Sequence, residues 1–363
     1  RPLFFRQRRT ARPPCAAPLL QLPCARCTPD SMPENRPPMN PVVHIPLPFA
    51  ATAVAVDAHC THAALASPGG GGLHVVDLEN VTAQAVPSSA QADTHPAALR
   101  WHGRWLCAAG ETGARLDVWD AENGLALAHS LGMGGMAIRS MDVDPATGRA
   151  VLLLKPQAAA QGGGHAGHTG QPGCLAEVDL ASGQLLDEAP LPEGMWPCVA
   201  YGSAGGICVA GVARAERGKG GRQGRALALL SGSACSRLRS LEIAALPGTD
   251  MLIPAFIALA GGACVVAAAS FQRQAFYVKE GGLDGGAPWQ ELRFADERCL
   301  ALAAATRASV LALTEAGDAP GSLWLTNLLQ PAQRLRLHGT PLCMDAQAGR
   351  VLISADQSLT LLA

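Results

Sequence analysis

Residues 116–124 read Leu-Asp-Val-Trp-Asp-Ala-Glu-Asn-Gly, and this stretch decides the fold. Its first five residues are mostly apolar strand formers that end on Asp, and the Asn-Gly pair that follows favours a tight turn. Six further segments repeat the short apolar strand that is followed by a turn, namely residues 73–77, 175–179, 227–231, 275–279, 322–326 and 359–363. Their last residues lie on average about 48 positions apart, so the chain beyond residue 40 is a repeat of short strands.

Each repeat also contains three other predicted strands. An apolar strand such as residues 139–143 comes first, a Pro- and Gly-containing turn at 144–148 follows, and a nearly continuous apolar strand at 150–154 comes next. Continuous apolar runs are typical of strands that are buried on both faces. No window shows a sustained 3.6-residue period, so the sequence predicts an all-β protein. Units of four strands and about 40–50 residues are typical of propeller blades.

The quoted stretch resembles the third strand and turn of WD-repeat β-propellers. Residues 350–362 (RVLISADQSLTLL) are similar to the second and third strands of the same repeat. The resemblance spans residues 40–363, but its motifs are degenerate, because Trp-Asp occurs once and the Gly-His pair is displaced to the region of His338. It implies a rigid interaction module and leaves the subfamily and the partner undecided.

Seven anchor strands predict a seven-bladed β-propeller of four-stranded antiparallel blades. The last unit has no residues left for a fourth strand, and residues 41–49 (PVVHIPLPF) precede the first unit. In WD-like propellers the first strand of the chain typically becomes the outer strand of the last blade, so we expect this segment to close the ring. Six blades is the alternative, if the region around Arg214 belongs to one irregular blade.

Residues 1–39 differ from the rest of the chain. They are rich in Arg and Pro and contain no acidic residue before Asp30. We expect a disordered or spurious segment, with Met32 or Met39 as the initiator; a mitochondrial or plastid targeting segment and a partner-binding arm are the alternatives. Otherwise the predicted location is cytoplasmic or nuclear. Cys24 and Cys27 lack a second cysteine pair nearby, which disfavours a zinc site.

Composition limits the classes of function. The chain has 28 Lys and Arg against 29 Asp and Glu, so its net charge of −1 gives no general attraction to DNA or to anionic membranes. No apolar run reaches the ~18 residues of a membrane helix. Nine cysteines follow residue 40 in no spacing typical of a disulfide framework, which favours a reducing compartment.

Residues that could carry catalysis are scarce. His59 and His62 lie in a predicted turn, and the pair at 165 and 168 lies in a glycine-rich insertion, so neither pair predicts a metal site. No G-x-S-x-G motif occurs. A lactonase-like hydrolase with its site in the axial channel is an alternative, but the asparagines it would need follow third strands, at positions 80, 123 and 327. The sequence therefore predicts no enzyme and no cofactor.

The predicted function is a non-catalytic protein–protein interaction scaffold that binds through the loop faces of the propeller. Residues 214–225 (RAERGKGGRQGR) form the main local excess of positive charge and could contact an acidic protein or RNA, and the RNA-binding accessory subunit is the second alternative. Three tryptophans near strand starts or loops could also reach a face, or pack between blades. The candidate partner-binding residues are Arg214, Arg217, Lys219, Arg222, Arg225, Trp101, Trp196 and Trp289.

Overall fold

The chain folds into seven four-stranded antiparallel sheets that form a closed seven-bladed β-propeller, as the repeat predicts. A computed structural model describes residues 41–47, 49–67, 72–86, 96–110, 114–144, 146–156, 173–202, 205–214, 224–246, 252–270, 273–283, 287–294, 296–317, 321–332, 334–338, 341–347, 349–355 and 357–362. The predictions for residues 1–39 lie outside these ranges.

Blades are numbered here in chain order, and in each the strands run from the innermost to the outermost. Blade 1 contains β2 (Ala53–Val56), β3 (His62–Ala66), β4 (Leu73–Asp77) and β5 (Thr82–Ala85). Blade 2 contains β6 (Pro96–His102), β7 (Trp105–Gly110), β8 (Arg115–Asp120) and β9 (Ala126–Gly132). Blade 3 contains β10 (Met136–Asp144), β11 (Arg149–Pro156), β12 (Cys174–Asp179) and β13 (Gln184–Pro190).

The remaining blades repeat this order. Blade 4 contains β14 (Gly194–Tyr201), β15 (Ile207–Arg214), β16 (Arg225–Gly232) and β17 (Leu238–Leu246). Blade 5 contains β18 (Ile253–Ala260), β19 (Ala263–Ala269), β20 (Gln274–Lys279) and β21 (Gln290–Leu292). Blade 6 contains β22 (Glu297–Thr306), β23 (Ser309–Ala316), β24 (Ser322–Asn327) and β25 (Arg334–His338). Blade 7 contains β26 (Pro341–Gln347), β27 (Arg350–Ala355), β28 (Ser358–Leu362) and β1 (Pro41–Pro46).

Blade 7 closes the ring with strands from both ends of the propeller. β1 pairs antiparallel with β28, and Ile45 lies opposite Leu359 in that pairing. Ile45 is 2% exposed and packs in a cluster that includes Val54 of blade 1. Closure removes the open sheet edge that an incomplete last blade would leave. The predicted seven blades and closing strand are confirmed, and the six-blade alternative is wrong.

The core lies between neighbouring blades. One cluster joins Leu116 and Leu131 of blade 2 to Leu152 and Leu154 of blade 3, and each of these side chains is at most 1% exposed. The second strands are buried on both faces, which explains their unbroken apolar sequence. Burying one such leucine stabilises the fold by about 1.5–3 kcal/mol.

Helix is minor in the described part of the chain. Two short 3-10 helices occur, Ala121–Asn123 and Cys235–Arg237. The first follows the quoted strand: the carboxylate of Asp120 accepts a hydrogen bond from the amide of Glu122, and Gly124 ends the turn at a φ of 62°. Among the described residues no helix has both the length and the apolar character needed to cross a membrane.

Strand order places every connection on one of two faces. Because neighbouring strands are antiparallel, the connections from second to third strands and those between blades share one face. Of the four connections of ten or more residues, three join strand ends at this face, namely 86–95, 157–173 and 215–224. We call it the insertion face. The fourth, 280–289, joins strand ends at the opposite face.

Candidate interaction surface

A groove of about 320 Å³ opens on the insertion face between blades 4 and 5. The starts of β14, β16 and β18 and the end of β15 meet there. Its lining combines an apolar floor with charged side chains, and consists of Glu193, Gly194, Met195, Val212, Ala213, Arg214, Arg225 and Ile253. The groove thus includes both described ends of the basic segment that the sequence singles out.

Trp196 follows the groove residue Met195 in β14, but its side chain packs on the other side of blade 4, towards blade 3. Its side chain is 2% exposed, its indole Nε1 donates a hydrogen bond of 2.9 Å to the carbonyl of Pro192, and its ring lies on the backbone of Gly211. A Cβ atom at position 211 would come within 2.3 Å of the ring, so only glycine admits this packing. The register of β14 and β15 shifts between Met195 and Cys198. Met195 remains 39% exposed beside the buried indole.

Two arginines face each other across the end of the β15–β16 hairpin. Arg214 lies directly opposite Arg225 in the pairing of β15 with β16. Arg214 forms an ion pair of 2.7 Å with Glu193, whereas Arg225 is exposed and has no ion-pair partner among the described residues. The predicted contacts Arg217 and Lys219, together with the arginine at 222, lie outside the described residues.

The three candidate tryptophans have different environments. Trp101 is 6% exposed and packs between blades 1 and 2, and Trp196 packs between blades 3 and 4. Neither indole reaches a face, so both adopt the inter-blade packing that the sequence left as the alternative. Trp289 is half-buried beside the core of blades 4 and 5, with the Nζ atom of Lys279 at 5.9 Å from its ring.

The axial channel forms a second cavity, of about 580 Å³. Inner strands of all seven blades contribute to it. Blades 5 and 6 supply mainly aliphatic side chains, while blades 2, 3 and 7 supply polar ones. Arg100 forms an ion pair of 3.2 Å with Asp142, whose other carboxylate oxygen accepts a hydrogen bond from the amide of Tyr201.

A second carboxylate of the channel also joins two blades. Asp345 accepts a hydrogen bond of 2.9 Å from the amide of Val56, which links blade 7 to blade 1. Burial raises the pKa of this carboxyl, and nearby Arg100 opposes the rise. Burial also lowers the pKa of His102 at the same mouth of the channel. The carboxylates of Asp142 and Asp345 thus each accept a backbone hydrogen bond from the next blade, which is a structural role.

Of the two histidine pairs, only His59 and His62 belong to the described residues. In the turn that contains His59, the carboxylate of Asp57 accepts hydrogen bonds from the amide and hydroxyl of Thr61 at 2.8 and 2.7 Å. The pair at 165 and 168 lies outside the described residues. Within the described ranges no group of three or more His, Cys, Asp or Glu side chains is arranged to hold a metal ion.

The nine described cysteines are free thiols, and seven of them are buried. Burial raises the pKa of Cys107 to about 12, and the same cause acts on Cys198 and Cys299. A thiol with such a pKa is protonated at neutral pH and is a poor nucleophile. These side chains act as small apolar groups of the core.

Comparisons with known proteins match this chain at the level of the fold. No protein-family model matches it, and no curated protein matches it in sequence. It is similar in structure to Raptor of Chaetomium thermophilum, with a TM-score of 0.61 and 9% identity over 90% of this chain and 29% of the Raptor chain. It is also similar to the Cps50 (Swd1) β-propeller domain of Myceliophteria thermophila, with a TM-score of 0.61 and 13% identity over 90% of this chain and 99% of that domain.

These likenesses identify the architecture and nothing finer. The chain spans less than a third of the Raptor chain and almost the whole of the Cps50 (Swd1) propeller domain. Identities of 9% and 13% show the fold alone. The assignment to WD repeats therefore stays a prediction, based on residues 116–124 and 350–362.

Of the residues that line the groove, sequence reasoning identified only Arg214 and Arg225 and missed the others, Glu193 and Met195 among them. Glu193 and Met195 carry no motif, and the register of β14 shifts between Met195 and Cys198. The dipeptide Trp196-Pro197 was the available signal, because proline interrupts the hydrogen-bond ladder of a strand. A bulge at this point could have been predicted, but not which side chain it leaves exposed.

Proposed function

We propose that the chain is a non-catalytic protein–protein interaction scaffold, or a subunit of a multiprotein complex, that binds partners through its insertion face. One observation carries the proposal: three of the four longest connections, including the basic segment 215–224, join strand ends on that face. Binding residues are commonly found on loops that a rigid scaffold positions. A closed ring with its core between blades is such a scaffold.

The RNA alternative is less well supported by the surface. Single-stranded RNA is usually bound by basic side chains together with aromatic rings on which bases stack. The groove offers two arginines, but none of its described lining residues is aromatic, and the neighbouring ring of Trp196 is buried. A protein partner of acidic character fits this combination better than a nucleic acid.

The hydrolase alternative has its natural place in the axial channel. Asp142 and Asp345 each accept a backbone amide hydrogen bond from the next blade, and Asp142 also pairs with Arg100. A general acid or base must instead be free to exchange a proton with a substrate. The channel carboxylates support closure of the ring better than catalysis.

We propose a cytoplasmic or nuclear location, with mitochondria or plastids as the alternative if residues 1–39 direct import. The nine cysteines of the propeller are free thiols, which suits a reducing compartment. Imaging of tagged chains that begin at Arg1 and at Met32 tests this: loss of an organellar signal in the shorter chain would support import.

Affinity purification of the whole chain tests the scaffold proposal. We expect one reproducible set of proteins, whose recovery falls with salt and falls further when the five basic residues of 214–225 are replaced by Gln. The matched control replaces Arg237 and Arg239 by Gln. Both arginines are exposed in the same blade, and their replacement should leave the recovery of partner proteins unchanged. Unchanged recovery in the first variant would remove the basic segment from the interface. Absence of any specific protein would contradict the scaffold function.

A further inference from the structure

We propose that the groove between blades 4 and 5 binds a short segment of a partner protein in which an apolar side chain lies next to a carboxylate. This inference rests on the proposed scaffold function and names the site and the chemistry of the partner. The groove consists of Met195, Val212, Arg214 and Arg225 with the neighbouring residues described above.

The floor of the groove requires an apolar side chain. Met195 is one of three large apolar side chains exposed in the described part of the chain; Val81 and Leu186 are the others and lie in blades 1 and 3. Beside Met195, Val212 and Ile253 are half-buried. A volume of about 320 Å³ is at the lower end of the ~300–1,000 Å³ typical of small-molecule pockets, which suits one or two side chains. Methionine adapts its shape to different apolar ligands.

The strands β14 and β15, which carry most of the groove residues, are held together by close packing. Trp196 is fixed by its hydrogen bond to Pro192 and by its contact with Gly211. Gly194 contributes a second close approach, because a Cβ there would lie 2.7 Å from the carbonyl oxygen of Val212 and 2.9 Å from the indole nitrogen. A preformed site avoids the entropic cost of ordering side chains on binding.

The rim of the groove requires a negative charge. Arg214 and Arg225 are direct cross-strand neighbours, and like charges in such positions destabilise a sheet. Glu193 neutralises Arg214 alone, so the described rim keeps one positive charge on Arg225. The connection between these arginines adds three basic residues and one acid in sequence. A partner carboxylate would relieve the repulsion and could bind an arginine through two hydrogen bonds.

The whole chain can be tested with a displayed library of random 12-residue peptides. We expect enriched peptides to share an apolar residue with Asp or Glu within two positions. Their Kd, measured by fluorescence anisotropy, should rise at least about tenfold in Met195→Asp and in Arg225→Glu. Both positions are exposed, so these variants should fold, which circular dichroism checks.

Two matched variants control for charge and for surface hydrophobicity. Leu186→Asp changes an exposed apolar residue of blade 3, and Arg237→Glu changes an exposed arginine of blade 4 on the opposite face; each should change the Kd less than about twofold. Peptides without an acidic residue, or binding that survives Met195→Asp and Arg225→Glu, would overturn the inference.

The same variants separate the nucleic-acid alternative. The probe is fluorescein-labelled 20-nucleotide oligouridine. If it binds the chain, and if this binding is lost in Arg225→Glu but retained in Met195→Asp, the site binds RNA and the inference is overturned. Failure in the peptide assay leaves the scaffold function standing if affinity purification still recovers a specific partner. The two proposals can therefore fail separately.

Discussion

Replacement of Ile45 by Ala tests the closing strand of the propeller. Ile45 lies in β1, is 2% exposed, and contacts a cluster that contains Leu359 of β28 and Val54 of blade 1. The substitution removes buried carbon atoms at the point where the two ends of the propeller meet. Ile-to-Ala changes in protein cores cost about 2–5 kcal/mol, and we expect about 3 kcal/mol of the free energy of unfolding to be lost here.

Thermal unfolding measures this loss against a control in the same strand. For the roughly 260 described residues the unfolding entropy is about 0.5 kcal/mol/K, so a loss of about 3 kcal/mol lowers the Tm by about 6 °C. His44→Ala is the control, because His44 is exposed and its imidazole forms a solvent-exposed hydrogen bond of 3.3 Å with the hydroxyl of Thr360. It should change the free energy of unfolding by less than about 0.5 kcal/mol.

A double-mutant cycle makes the test specific to the closure. Ile45 and Leu359 are cross-strand partners, so combining Ile45→Ala with Leu359→Ala should show a coupling energy of about 0.5–3 kcal/mol. Equal Tm values for Ile45→Ala and His44→Ala, or a coupling energy of zero, would refute the reasoning that β1 holds blade 7 to blade 1.

Three further predictions concern packing, a charge network and pH. Gly211→Ala should lower the urea midpoint by an amount equivalent to about 1–3 kcal/mol, because the added Cβ meets the ring of Trp196. Glu297→Ala should cost about 2 kcal/mol in the same assay, because the two carboxylate oxygens accept hydrogen bonds from Arg334 at 2.6 and 2.8 Å across blade 6. Burial raises the pKa of the Asp345 carboxyl, so this group stays protonated to a higher pH in the folded chain than in the unfolded chain. Its contribution to the free energy of unfolding is therefore lost as the pH rises above about 4. Asp345→Asn should flatten the change in urea midpoint between pH 4 and 7.

The blades could be predicted from the sequence because each is a local structure. The third strand β8 covers residues 116–120 of the quoted stretch, and the second strand β11 contains the apolar run 150–154. A hairpin can be recognised from the apolar patterns of its two strands and from the turn residues between them, and these features lie close together in the sequence. The closing strand could also be predicted, because the last repeat lacked one strand.

Contacts between blades could not be predicted in the same way. The hydrogen bond from Val56 to Asp345 joins residues 289 positions apart, and Tyr201 bonds to Asp142 over 59 positions. No local pattern marks such a pair, because the geometry of the closed ring decides which inner strands meet. The burial of Trp196 depends in the same way on the approach of Gly211 from the next strand. Arg214 and Arg225 were identified from sequence, but the groove beside them required the fold.

Site-specific photo-crosslinking tests most directly the claim that the insertion face binds protein partners. A photoreactive phenylalanine derivative replaces Arg225 on the insertion face or Arg237 on the opposite face of blade 4, in the whole chain expressed in cells that contain it naturally. We expect light-dependent adducts with another protein from position 225 and none from position 237. Protein adducts from position 237 alone, or equally from both positions, would contradict binding through the insertion face.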